Sequence, residues 1–278
     1  MIAKRNSPSR RALRVALLAL ILVSPGRYAF AAGDPGLEPI IDGPQRSAAN
    51  RARDAARHPL QELTFFGLKS KMTVVEIWPG GGWWTEILAP YLHDHGTYYV
   101  AQPPGDQLPQ EERAGLDRFA GKLKANPSIY GKVQVTALWG DQFAIAPPGS
   151  ADLVVTFRNL HNWMAQGTAE ATFRAFYLAL KPGGMLGIED HRGRTDRPQD
   201  PQAKDGYVRE DYAIALAEKT GFILAGRSEM GANPRDTKDY PEGVWTLPPT
   251  LRLGDKDREK YLAIGESDHF TLLFMKPF

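Results

Sequence analysis

The chain has 278 residues, 42% of them hydrophobic, which is enough to bury the core of one large domain. Its 34 basic and 32 acidic residues are scattered and leave a net charge of +2, so the concentrated basic surface of a nucleic-acid-binding protein is absent from the sequence. The lack of cysteine excludes disulfides, thiol nucleophiles and cysteine-ligated zinc.

The first 31 residues have the composition of an export signal. Basic residues lie around an unbroken apolar stretch, Val15 to Val23, which is short for a membrane span. Residues 29–31 (Ala-Phe-Ala) form a small-x-small cleavage signal, which predicts a periplasmic or secreted protein whose mature chain begins near Ala32. The pair Arg10 and Arg11 partly matches a twin-arginine signal. An uncleaved membrane anchor is the alternative.

Residues 32–58 are predicted to form an N-terminal arm before a domain that spans residues 59–278. The first part of the arm is rich in glycine and proline, and the run Arg46 to Arg57 is polar and predicts a surface helix.

From Thr73 onward, short β-branched runs alternate with amphipathic runs, which is typical of βαβ units on a mostly parallel sheet. Strands are predicted at Thr73–Ile77, Thr97–Ala101, Val133–Ala137, Leu153–Phe157 and Met185–Glu189, with two further apolar runs at Phe222–Arg227 and Thr271–Met275. Helices are predicted at Trp83–Leu92, Gln110–Leu123, Ala169–Leu180 and Arg209–Lys219. The pattern predicts a doubly wound α/β fold.

A glycine-rich turn follows the first predicted strand. Glu76 lies near the end of that strand, and Gly80, Gly81 and Gly82 precede a helix. Open α/β sheets bind ligands beyond the carboxyl ends of their strands, where glycines let a ligand approach the backbone closely. Trp83 follows the glycines instead of Lys and Ser or Thr, so the turn is not a triphosphate loop. The glycine spacing also disfavours a dinucleotide such as NAD.

The run Glu76 to Gly82 resembles the first motif of Rossmann-like S-adenosylmethionine-dependent methyltransferases, with Trp78 where that family usually has glycine. Later stretches match the family's motifs in the same order: Trp139-Gly-Asp141, Asp152-Leu-Val-Val155, Leu180-Lys-Pro-Gly-Gly184 and Thr220-Gly-Phe222. More narrowly, the chain resembles exported bacterial proteins described as predicted methyltransferases, which share its blocks Pro79–Trp83, Phe157–Trp163 and Gly265–Asp268.

The resemblance implies a seven-stranded sheet whose last strand is antiparallel, and S-adenosylmethionine as cofactor. The cofactor-binding residues that it implies are Glu76, Pro79, Gly80, Gly81, Gly82, Gln102 and Asp141. Glu76 would face the methionyl amino group, and Asp141 would meet the adenine edge. Gln102 stands where the family usually has an acid that holds the ribose hydroxyls, and its amide would bind a hydroxyl more weakly than a carboxylate.

Two histidines follow neighbouring predicted strands, at the edge where the ligand cleft should open. Methyl transfer to the oxygen or nitrogen of a small molecule needs the reactants aligned and, where the acceptor carries a proton, a base. His191 is predicted as that base because Asp190 and Glu189 are close in sequence, with His161 as a positioner or alternative base. The predicted catalytic residues are His191, His161 and Asp190.

Several alternatives remain open at this point. The histidines could have a purely structural role, and Glu189, Asp190 and His191 could hold a divalent metal, although a single histidine makes a poor set and no metal is predicted. The indoles of Trp78, Trp83 and Trp84 could face the sulfonium or, for at least two of them, pack in the core.

The long segment Ser228 to Asp268 is predicted to cover the cleft.

Two other functions also remain open. Gln102, Trp78 and the leader are compatible with a non-catalytic small-molecule-binding protein of the same fold. An NAD-dependent oxidoreductase is the remaining alternative.

Overall fold

The structure is a computed structural model that describes residues 34–108 and 110–278. The predicted leader, residues 1–31, lies outside the described residues.

The core of the domain is a seven-stranded sheet in the order β3-β2-β1-β4-β5-β7-β6. The strands are β1 Thr73–Ile77, β2 Thr97–Gln102, β3 Gln134–Ala137, β4 Ala151–Phe157, β5 Leu180–His191, β6 Ile223–Ser228 and β7 His269–Met275. Strands β1 to β5 pair in parallel, whereas β7 lies antiparallel between β5 and β6. The predicted fold class, including the antiparallel last strand, is confirmed.

Helices cover the sheet on both sides. They are α1 Leu37–Ile41, α2 Ala48–Arg51, α3 Asp54–Arg57, α4 Pro59–Phe65, α5 Thr85–Leu92, α6 Gln110–Ala125, α7 Pro127–Tyr130, α8 Leu160–Ala165, α9 Ala169–Ala179, α10 Glu210–Thr220 and α11 Arg258–Ile264. Neighbouring strand residues belong to two different buried clusters, Val74 to one and Val75 to the other, because side chains alternate along a strand. Among the described helices, none is long and apolar enough to cross a membrane.

Strand β5 is longer than the sequence predicts. The expected turn at residues 181–184 lies inside it, where the pairing with β4 shifts register between Ala151 and Leu153. At the other end, pairing with β7 continues to His191, which lies opposite His269. His191 is therefore the last residue of the strand, and the backbone of two strands holds it in place.

Residues 34–58 differ from the predicted arm, in which only the run Arg46 to Arg57 was expected to form a surface helix. They form three short helices, and their apolar and basic side chains enter the domain, with Leu37, Ile41, Arg46 and Arg57 all buried. Arg46 and Arg57 place their guanidinium groups 4.7 Å from the centre of the Trp83 ring, so these two arginines pack against an aromatic surface.

Candidate active site

A cavity of about 400 Å³ opens at the carboxyl ends of β1, β4 and β5, which is within the size range of ligand pockets, ~300–1,000 Å³. Its walls come from the N-terminal segment, the glycine turn, the start of α8, the end of β5 and the long segment before β7. The lining residues are Asn50, Arg53, Arg57, Glu76, Trp78, Pro79, Gly80, Gly81, Trp83, Trp84, Phe157, Arg158, Asn159, His161, Asn162, His191, Val244, Trp245, Pro248, Pro249 and Thr250. The predicted position of the long segment over the cleft is confirmed by its five lining residues.

The glycine turn presents open backbone to this cavity at two of its three glycines. A Cβ added to Gly80 or Gly81 would meet no atom within 4 Å, and Gly80 has a φ of 58°, which favours glycine. Gly82 serves a different purpose, because a Cβ there would lie 2.9 Å from the ring of Phe119 on α6. Gly80 and Gly81 therefore leave room for a ligand to approach the backbone, whereas Gly82 leaves room for helix α6 to pack against the turn.

Asn159, just after β4, connects the glycine turn to the neighbouring strand. Its side-chain amide donates to the carbonyl oxygens of Ile77 at 3.0 Å and Trp78 at 3.3 Å. These contacts hold the end of β1 and the start of the turn against β4, and so fix the floor of the cavity.

Glu76 is buried beside the turn, and one oxygen of its carboxylate accepts hydrogen bonds from two hydroxyl groups. Thr85 Oγ1 donates to it at 2.8 Å, and the hydroxyl of Tyr98 on β2 donates to the same oxygen. Burial raises the pKa of Glu76 to about 7, although both hydroxyls favour the charged form. Glu76 is therefore only partly ionised at neutral pH.

His161 and Asp190 form a buried pair at the back of the cavity. Nδ1 of His161 lies 3.0 Å from Oδ1 of Asp190, and the backbone N–H of His161 donates to Oδ2 at 3.2 Å. The backbone N–H of His191 donates to the same carboxylate at 2.7 Å. Asp190 thus supports the ring of His161 and not that of His191, unlike the sequence-based expectation. The pairing leaves Nε2 of His161 available to a ligand.

The ring of His191 lies 5.2 Å from that of His161 and has a different set of partners. Its Nδ1 is 2.6 Å from Oγ of Ser267, and that hydroxyl is also 2.9 Å from Nε2 of His269. Nδ1 of His269 is in turn 3.0 Å from Oε1 of Glu189. Ser267 and His269 lie next to the cavity-lining end of β5 because β7 pairs with that strand.

Burial dominates the acid–base properties of this histidine cluster. It lowers the pKa values of His191 and His269 well below the usual range, and repulsion between His191 and its two neighbouring histidines acts in the same direction. Burial also raises the pKa of Glu189 to about 7, partly offset by the positive charge of Arg158. Both rings are therefore neutral at pH 7.

Glu266 is the centre of a group of arginines at one wall of the cavity. Arg53 binds it through two hydrogen bonds of 2.7 and 2.8 Å, and Arg158 donates to it at 3.1 Å. The guanidinium of Arg57 lies 3.8 Å away. Three guanidinium groups against one carboxylate leave this wall positively charged, which favours an anionic group on the ligand.

The three tryptophans near the turn have different environments. Trp83 and Trp84 are buried, as predicted for at least two of them, and Trp84 stacks on Phe157 with 3.9 Å between ring centres. Trp78 is only partly buried, and its Nε1 donates to the carbonyl oxygen of Leu138 at 3.1 Å. One face of the cavity is therefore an indole that lies beside the loop after β3.

A scan against protein-family models gave no match, and a search of curated proteins also gave none. Solved structures, in contrast, resemble this one over most of the chain. A SAM-dependent methyltransferase from Aquifex aeolicus has a TM-score of 0.54 and 18% identity, covering 88% of this chain and 100% of its own. The cyclase SpnF has a TM-score of 0.55 and 14% identity, covering 87% and 93%. Phosphoethanolamine N-methyltransferase 2 from Haemonchus contortus, in complex with S-adenosyl-L-methionine, has a TM-score of 0.51 and 16% identity, covering 88% and 60%.

The fold is that of the Rossmann-like methyltransferases. Within this fold, the structure brings together four of the residues predicted to bind the cofactor, Glu76, Pro79, Gly80 and Gly81, with His161 and His191, and all six line the cavity. Because a cyclase is among the neighbours, the fold alone does not assign a reaction.

Two residues predicted for the nucleoside half lie outside the cavity lining. Asp141 is exposed in the tight turn that joins Trp139 to Gln142. Gln102, at the end of β2, has a buried Oε1 that accepts no hydrogen bond from the described residues. A buried acceptor without a partner among the described residues fits a cofactor with hydroxyl groups, such as S-adenosylmethionine.

The alternative metal site considered from the sequence consists of Glu189, Asp190 and His191, whereas the ligand atoms that the structure brings together are those of His161, Asp190 and His191. His161, Asp190 and His191 offer ligand atoms within 4.8 Å of one another, but three N–H groups already bind the Asp190 carboxylate. Glu189 pairs with His269. The arrangement is better suited to orienting two imidazoles than to coordinating a cation.

Sequence reasoning missed Arg53, Arg57, Ser267 and His269. The block Gly265–Asp268 was visible as a shared motif and contains Ser267, but nothing local indicates which side chain it faces. The arginines lie in a segment that the sequence predicts to be a solvent-exposed arm.

Proposed function

We propose that the protein transfers a methyl group from S-adenosylmethionine to a small molecule that carries an O–H or N–H group. The observation that carries the proposal is that the open backbone of Gly80 and Gly81 and the imidazoles of His161 and His191 face one cavity in a methyltransferase fold. The cofactor would supply an electrophilic methyl group, and the protein would align the acceptor and remove its proton.

The chain's own residues have distinct parts in this proposal. Gly80, Gly81 and Pro79 would hold the cofactor at the turn, with Glu76 beneath them and Gln102 toward the ribose. His191 would take the proton of the acceptor at Nε2, and His161, oriented by Asp190, would position it. The arginines around Glu266 would bind an anionic group of the cofactor or the acceptor.

Calorimetric titration with S-adenosylmethionine and with S-adenosylhomocysteine tests the cofactor. The variant Gly81→Phe can form without left-handed backbone strain, because a Cβ at Gly81 would meet no atom within 4 Å. Its ring would occupy the cavity that Gly81 lines, and is therefore expected to abolish binding. Gly121→Phe is the matched control, since Gly121 is also an unhindered glycine but lies exposed on α6. Absence of heat with both compounds for the unaltered protein would refute the proposal.

A non-catalytic binding protein of this fold is the second candidate. It is favoured by Trp78, whose indole lies against the loop after β3, and by the lack of a carboxylate at Gln102. Incubating the protein with S-adenosylmethionine and a panel of small acceptors separates the two, because only an enzyme yields S-adenosylhomocysteine together with a methylated product. Binding without that product across the panel would favour the second candidate.

A further inference from the structure

A continuous series of hydrogen bonds leads from the cavity to a carboxyl group inside the protein. It runs from His191 through Ser267 and His269 to Glu189, with distances of 2.6, 2.9 and 3.0 Å. All four side chains are buried. Only the first of them, His191, lines the cavity.

Each group in this series can both donate and accept a proton, so the series has two complete hydrogen-bonding patterns. With Glu189 ionised, Nδ1–H of His269 donates to Glu189, the hydroxyl of Ser267 donates to Nε2 of His269, and Nδ1–H of His191 donates to Ser267. Nε2 of His191 then carries a lone pair. With Glu189 protonated every bond reverses direction, and Nε2 of His191 carries the hydrogen.

We propose that these four groups form a proton relay that carries the proton of the methyl acceptor from the cavity to Glu189. The inference rests on the proposed methyl transfer for its role, but the relay itself is a property of the protein without ligands.

The relay moves one proton at each link and leaves no charge on either ring. Nε2 of His191 takes the acceptor's proton, and the hydrogen on its Nδ1 passes to Oγ of Ser267. The hydroxyl hydrogen of Ser267 passes to Nε2 of His269, and the hydrogen on Nδ1 of His269 passes to Oε1 of Glu189. The acceptor has then lost one proton and Glu189 has gained one. The same proton transfers in reverse order return that proton to water in the cavity after the product leaves.

The acid–base properties of the groups favour this direction. Burial makes an imidazolium costly at His191 and His269, whose pKa values lie well below the usual range, whereas the pKa of Glu189 is raised to about 7. The proton is therefore more stable on Glu189 than on either ring at neutral pH.

Several charged groups set that balance around Glu189. Arg158 and Arg53 lower its pKa, whereas Glu266 and Asp190 raise it. Glu62 on α4 is a buried carboxyl whose own pKa is raised well above the usual range by burial and by Glu189. Because the two carboxyls repel each other, ionisation of one makes the other hold its proton more tightly.

Nitrogen NMR of the full chain labelled with ¹⁵N in the histidine rings tests the relay without cofactor or acceptor. Below pH 7 both His191 and His269 are expected to carry hydrogen on Nε2, and above pH 7 both are expected to carry it on Nδ1. The two rings should switch with one shared midpoint near pH 7 and without forming imidazolium. A single fixed tautomer across this range, or protonation to imidazolium, would overturn the proposal.

Two variants locate the links of the relay. In Ser267→Ala, His269 should still switch with Glu189, whereas His191 should no longer follow it. In Glu189→Gln, neither ring should switch near pH 7. Ser150→Ala, which removes an exposed hydroxyl far from the cavity, is the control and should preserve the shared midpoint. Continued switching of His191 in Ser267→Ala would show that the ring titrates independently and would refute the relay.

These measurements separate the relay from the proposed function. A protein that switches tautomers as expected but binds no S-adenosylmethionine would retain the relay and lose the methyltransferase assignment. A protein that methylates an acceptor while His191 keeps a fixed tautomer would retain the assignment and lose the relay.

Discussion

Glu76 shows how the environment of a single residue changes its chemistry. The resemblance to methyltransferases implies that Glu76 faces the methionyl amino group of the cofactor. In the structure its carboxylate is buried and accepts hydrogen bonds from Thr85 and Tyr98, and its pKa is about 7. Burial outweighs the two hydrogen bonds, so this carboxyl binds a proton more tightly in the folded protein than in the unfolded chain.

Glu76→Gln is expected to change how stability depends on pH. The stability that protonated Glu76 contributes is fully present below its ordinary pKa of 4.5 and is lost as the pH rises through about 7. The free energy of unfolding of the unaltered protein should therefore fall by about 3 kcal/mol more than that of the variant across this window. Denaturant unfolding at the two ends of the window measures the difference.

Glu259→Gln, on the exposed side of α11, provides the control and should follow the unaltered protein. Parallel pH profiles for Glu76→Gln and the unaltered protein would contradict the expected ionisation of Glu76. The other buried carboxyls, Glu62 and Glu189, have the same sign but are present in all three proteins and cancel in the comparison.

At the scale of elements, the active-site edge depends on contacts between the ends of neighbouring strands. Asn159 connects the end of β4 to the carbonyl groups of Ile77 and Trp78 at the end of β1. His191 and His269 face each other because β5 and β7 pair up to their last and first residues. The turn and the relay are thus positioned by backbone pairing more than by their own sequences.

Asn159→Ala is expected to lower the free energy of unfolding by about 2 kcal/mol, because it removes the donor to the buried carbonyl group of Ile77 and the partly buried one of Trp78. It should also weaken cofactor binding by releasing the glycine turn. Urea unfolding and calorimetric titration measure the two effects. Asn162→Ala, three residues away on the same cavity wall, should change stability by less than about 0.5 kcal/mol. An equal loss in both variants would show that Asn159 has no special role.

At the scale of the whole molecule, Glu266 connects distant parts of the chain. It binds Arg53, which precedes it by 213 residues, and Arg158, which precedes it by 108. Its carboxylate thereby holds the N-terminal segment against the end of β4. Because that segment supplies Asn50, Arg53 and Arg57 to the cavity, the site is complete only when the two ends of the domain are in contact.

Glu266→Gln is expected to lower the free energy of unfolding by about 3 kcal/mol, because it leaves one buried and two partly buried guanidinium groups without this counter-charge. The N-terminal segment should then be cut faster by trypsin after Arg51 and Arg53. Denaturant unfolding and timed proteolysis provide the two readouts. Glu242→Gln, which removes a more exposed partner of Arg252, is the control. Unchanged cleavage at Arg53 would contradict the role given to Glu266.

Much of the fold could be predicted from local patterns. The first strand was predicted to the residue at Thr73–Ile77, and helix α6 was predicted to begin at Gln110, as observed. Alternation of β-branched and amphipathic runs is a local property, because burial on one face repeats with the period of the element. Strand β5 was predicted too short because its ends are set by pairing with β4 and β7.

The sequence by itself determined the α/β order, the glycine turn and the placement of His161 and His191 at one edge of the sheet, since these depend on spacing along the chain. Only the tertiary structure decided that Asp190 supports His161, that Ser267 and His269 connect His191 to Glu189, and that Arg53 reaches the cavity. The reason is physical: strand register and the packing of the N-terminal segment depend on the shape and burial of residues far apart in sequence, and these contacts leave no local pattern.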